Sequence, residues 1–147
     1  MRPLIPDVFA TCAADLVMRV APAITPEYHQ GTIGMIATLL AIAGEEWDRA
    51  ASWRVEENRS LRELFRASLS IAKGELRKRL AELSETRDED LRISALTANN
   101  SALRAALIEL HRYVESQQTM EARKIEDAIW HELHESTRRR QLSFAQF

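Results

Sequence analysis

Two pairs of polar residues interrupt apolar stripes in this 147-residue chain, and their spacing invites a chemical reading. Glu46 and Glu57 share the stripe Ala43, Glu46, Ala50, Trp53, Glu57, Leu61 and Leu64 if one helix runs through them. Asn100 and His111 share another. Each pair is eleven residues apart, which on a helix is three turns plus only about 20°. Carboxylates that face a core are costly unless paired, and Arg49 and Arg54 stand close enough in sequence to pair with them. One reading is a buried ion-pair network that aligns helices, with Asn100 setting register and His111 a satisfied core group. The other is a ligand or metal pocket formed by Glu46, Arg49, Glu57, Asn100 and His111. The first is preferred, because structural networks perturb buried acids as readily as active sites do.

The signatures of known chemistries are missing. Helical bundles with inward acids can hold two irons through Glu-x-x-His, but Ile108, Ala128 and Pro26 stand three residues before His111, His131 and His29. His131 and His134, flanked by Glu132 and Glu135, lack the His-Glu-x-x-His spacing of zinc proteases and read as the solvated face of an amphipathic helix. At most they hold metal adventitiously. Gly31-Thr32-Ile33-Gly34 is followed by no lysine and falls inside an apolar run, so it is no phosphate loop. Cys12, the lone cysteine, has no basic neighbour to activate it and sits on an apolar stripe, which predicts an inert thiol. No nucleophile elbow, P-loop or dinucleotide fingerprint occurs. These observations assign no catalytic residue, no metal and no cofactor.

Charge narrows the partners. A net charge of −2 and a pI near 6.1 argue against nucleic acid and anionic membrane, which need a basic face. Arg77-Lys78-Arg79 and Arg138-Arg139-Arg140 adjoin no helix-turn-helix pattern and read as solvated helix ends. The longest apolar stretch, Thr32 to Ala43, is shorter than the roughly 20 residues that span a bilayer. Asp7 and Asp15 interrupt the run that a signal peptide would need, and one cysteine allows no internal disulfide; a cytoplasmic setting is expected.

Helices must position these residues. All four prolines lie at or before Pro26 and all four glycines at or before Gly74, and β-branched alternation is absent, so the expected fold is an all-α, up-and-down bundle of four to five helices. A first helix is predicted over Asp7 to Val20, with Phe9, Cys12, Leu16 and Val20 inward and Ala21-Pro22 ending it. Thr25-Pro26-Glu27 predicts the start of a long central helix. That helix is apolar nearly all round from Ile33 to Ala43, as a buried element would be. Its Gly34, Ala37, Ala41 and Gly44 form a smooth strip for close packing. A break is predicted between Arg54 and Ser60, or else at Gly44, since Ser60-Leu61-Arg62-Glu63 matches a capping box opening a third helix through Leu83. A second capping box, Thr86-Arg87-Asp88-Glu89, predicts the start of the fourth. Ile93, Leu96, Asn100, Leu103, Leu107, Leu110 and Val114 then trace a near-strict heptad. Glu115 to Thr119 makes a turn, and a fifth helix with Ile125, Ile129 and Leu133 inside runs to about Arg140.

The expected organisation is one domain: residues 1–24 as N-terminal helix and proline linker, 25–141 as the main bundle and 142–147 as an aromatic tail. The expected function is that of a non-enzymatic interaction or accessory protein, a homo-oligomer such as a dimer or the partner of an enzyme. Trp130, Phe144 and Phe147 are candidate interface anchors, since aromatics beside arginines are typical of interfaces. The alternative is a small-molecule or metal-binding bundle built on the Glu, Asn and His cluster.

Overall fold

The computed structural model describes residues 3–143, and among them every regular element is helical, as the residue pattern predicts. The five α-helices are α1 (Ile5–Asp15), α2 (Glu27–Ser68), α3 (Gly74–Glu85), α4 (Ile93–Glu115) and α5 (Met120–Arg140). They form two compact units: residues 3–50 with 142–143, and Ala51–Gln141. Helix α2 contributes its residues 27–50 to the first and 51–68 to the second.

In the N-terminal unit, α1 begins two residues earlier than expected, with Pro6 in its first turn where no backbone donor is lost. It passes at Leu16 into a π-helical turn and at Ala21 into a 3-10 turn. Its packed stripe is Pro6, Phe9, Ala13 and Leu16, all half-buried; Cys12 and Val20 are exposed, against expectation. The contact that sets this phase is Gly44. A β-carbon there would lie 3.3 Å from Phe9 Cβ and 3.6 Å from the Pro6 carbonyl, so the smooth strip is used at its last glycine. Gly34, by contrast, would bring a β-carbon within 4 Å of no other element among the described residues.

The stretch from Ile33 to Ala43 is not buried all round. Ile33, Ala37, Gly44 and Ala50 are covered, whereas Met35, Ile36, Leu39 and Trp47 are exposed. Among the described residues of this unit α1 is the one other α-helix, and Gly44, against which it packs, lies on one stripe with Ile33 and Ala37.

Neither predicted break occurs: α2 runs for 42 residues. That length exceeds what one compact unit would hold, but the helix serves two. Ser60 lies mid-helix, and its hydroxyl accepts from Arg139 rather than capping a new helix. The chain reverses instead after Ser68, whose hydroxyl donates back to the Leu64 carbonyl at 2.7 Å. It re-enters helix at Gly74, where φ is +58°, a conformation that side chains with a β-carbon resist.

The second unit is a helical bundle with one apolar core. Leu61, Leu64 and Phe65 of α2, Ala72 of the turn and Leu80 of α3 meet Leu103, Ala106, Leu107, Leu110 and Val114 of α4 and Ala122 and Ile129 of α5. The predicted heptad is buried from Leu96 to Val114, with its first member, Ile93, exposed. The predicted turn joins α4 to α5, and the Thr119 hydroxyl accepts from the Ala122 amide at 3.1 Å to cap α5. The second capping box does not open α4, which begins at Ile93. Thr86 terminates α3 instead, donating to the Leu83 carbonyl at 2.7 Å, and residues 86–92 are irregular.

Candidate functional site

Along α2, Asn58 and Arg62 lie one turn apart and both are buried, so each needs a partner within the bundle. Asp88, in the irregular segment after α3, supplies it. Arg62 donates to both Asp88 oxygens at 2.9 and 3.0 Å, a forked pair whose side chains are only 8% and 7% exposed. Its third donor, Nε, reaches the Thr86 hydroxyl at 3.0 Å. Asn58 and Asn99 each donate to Asp88 Oδ1 at 3.0 Å, and Asn100 donates to Asn58 Oδ1 at the same distance. The hydrogen bond from Arg62 holds the Asp88 carboxyl below the usual carboxylate range against the opposing effect of burial, and Asn99 and Asn58 reinforce it.

Glu57, next to Asn58 and 1% exposed, makes a second centre. One carboxylate oxygen accepts from Arg104 of α4 and the other from Arg140 of α5, the latter at 2.6 Å. Burial pushes the Glu57 carboxyl up, and the two arginines, Arg140 foremost, more than reverse it, so the net shift is downward. Arg140 and Arg54 both lie over the Trp53 ring, 4.5 and 4.0 Å from its centroid. The arginines that bind Glu57 are thus not those near it in sequence: Arg54 donates to Thr97 at 3.0 Å, and in the other unit Arg49 pairs with Glu45 at 2.6 Å.

A third centre overturns two expectations at once. Glu132 is buried, not part of a solvated face, and Arg139 is not a solvated helix end. Arg139 donates to the two Glu132 oxygens at 2.8 and 3.2 Å and to Ser60 at 3.3 Å. Seven residues separate the two along α5, which is close to two turns, so the long guanidinium folds back over its own helix. His131 and His134 are exposed as expected.

Of the residues expected to line a pocket, Glu57 and Asn100 belong to adjoining parts of this network. Glu46 and Arg49, both half-buried, lie in the N-terminal unit. His111 stands apart: eleven residues beyond Asn100 amount to about 16 Å along α4. There its ring meets Trp130 edge-on, centroids 5.3 Å apart, and its Nε2 is 3.7 Å from Glu115 Oε1. Trp130 is exposed; Phe144 and Phe147 lie outside the described residues.

The geometry defines what these groups can do. Both oxygens of Asp88, Glu57 and Glu132 accept from arginine, so none of these acids stands ready as a general base. An open groove bordered by Arg104, Leu133, Ser136 and Arg140 passes the Glu57 centre. The arginines that flank it already donate to Glu57. Sequence reasoning found Glu57 and Asn100 but missed Asn58, Arg62, Asp88, Arg104 and Glu132. The available signal was Asn58 and Arg62 at one-turn spacing beside Leu61 and Phe65. Comparison with protein-family models, with curated proteins and with solved structures finds no match for this chain.

Proposed function

We propose that the chain is a non-enzymatic helical protein that associates with a second copy of itself through the N-terminal part of α2. The observation that carries this reading is the uncovered face Met35, Ile36, Leu39 and Trp47, with Leu39 57% and Trp47 63% exposed. Residues three, four and eight apart fall on one side of a helix, so these four make a continuous apolar strip. No charged residue lies between Glu27 and Glu45, so the strip is uncharged from Met35 through Leu39, and Glu46 joins the same face only beside Trp47. A two-fold arrangement sets like surface against like, which the uncharged stretch from Met35 to Leu39 tolerates without repulsion. The ion-paired acids of the second unit favour a structural over a catalytic role for its interior.

Sedimentation velocity on the full chain and on Leu39→Glu tests the reading. The wild type sediments as a dimer at micromolar concentration. The variant, whose new carboxylate would be trapped in the interface, weakens association by about thirtyfold, roughly 2 kcal/mol. Identical behaviour of the two proteins refutes it, and a wild-type monomer that dimerises under no condition would turn the strip over to a different protein as occupant.

A further inference from the structure

The acids of the polar network are each bound by arginine, but Glu115 at the other end of α4 and Glu126 of α5 are not. Among the described residues, neither Glu115 nor Glu126 pairs with a lysine or arginine. They stand beside His111: a ring nitrogen of His111 and one carboxylate oxygen each from Glu115 and Glu126 lie within 4.8 Å of one another. His111 and Glu115 are one turn apart on α4, and Glu126 comes from α5 across the turn. The His111 Nε2 is shielded from water and has no hydrogen-bond partner among the described residues, since Glu115 Oε1 at 3.7 Å is too distant to accept. An orphaned nitrogen inside a protein calls for a ligand. The edge-on ring of Trp130 limits the plane the imidazole can adopt.

One imidazole and two carboxylates form the donor set of borderline divalent transition metals. Coordination at about 2.0–2.2 Å would draw the three donor atoms together, and Glu115, with a side chain 56% exposed, is free to turn inward. We propose that His111, Glu115 and Glu126 bind a divalent transition-metal ion, zinc being the representative, with coordination positions left open to water. The site pins α4 to α5 beside the turn that joins them. It stands independently of the self-association proposed above.

Calorimetric titration of the full chain with zinc chloride tests it, using wild type, His111→Ala, Glu126→Gln and a control with both His131 and His134 changed to alanine. The expected result is one zinc ion per chain in the wild type and the control, with binding lost in His111→Ala and at least about tenfold weaker in Glu126→Gln. Wild-type thermal stability rises with zinc, while that of His111→Ala does not. Circular dichroism establishes that each variant is helical, and the partly exposed Glu126 keeps the test valid should His111→Ala unfold. Absence of binding overturns the proposal, as does binding that survives both site variants or disappears with His131 and His134.

Discussion

Arg62 and Asp88 carry the sharpest consequence of burial at the level of single residues. Removing one partner of a buried pair leaves a charge that water cannot reach, which costs about 3–5 kcal/mol. Asp88→Asn is therefore expected to destabilise the protein by an amount in that range, read by urea unfolding. Lys78→Ala, which deletes a pair more than two-thirds exposed on both sides, should change stability by less than about 1 kcal/mol. The Glu57 centre is expected to fall between them, because Arg104 and Arg140 are 37% and 38% exposed and can turn to solvent when the acid is gone. Asp88 and Glu57 also set the response to acid. Both have lowered folded-state pKa values, so their contribution is complete above the unfolded carboxylate range near pH 4 and is lost as pH falls through the folded values. Stability should decline below about pH 4, and less steeply in Asp88→Asn than in wild type. An equal acid slope in the two proteins would remove Asp88 from the account.

Glycines separate what the elements require from what they tolerate. Gly74 holds φ at +58° at the start of α3, and alanine there should cost about 1 kcal/mol. Gly34 lies within α2 with no other element of the described residues near its missing β-carbon, and alanine there should stabilise by about 0.5–1 kcal/mol through helix propensity. Thermal unfolding of the two variants should move the midpoint in opposite directions. The contrast also shows which elements were legible. Helix was evident where periodicity was sustained, as from Leu96 to Val114, because each residue there reports the same face. Boundaries were not. Capping boxes are local patterns, and Ser60 and Thr86 satisfied theirs while their hydroxyls were taken by Arg139 and Arg62. The polar centres were half legible for a related reason: Glu57 stands out on its stripe, but its arginines lie 47 and 83 residues away and only the fold brings them in.

At the scale of the whole molecule, the two units bury their apolar residues very differently. The second surrounds Phe65, Leu80, Leu103 and Leu110 on all sides. The first has no fully enclosed side chain on α1 and leaves Met35, Leu39 and Trp47 of α2 in water. Composition alone could not distinguish these cases, because the run from Ile33 to Ala43 looks the same whether a neighbouring helix or a second chain covers it. Burying each exposed Leu or Met would contribute about 1.5–3 kcal/mol, enough over a strip of this length to drive association at micromolar concentration. Light scattering on the full chain across that range should give a mass that rises with concentration to twice 16.8 kDa; a mass that stays at 16.8 kDa throughout would rule out self-association.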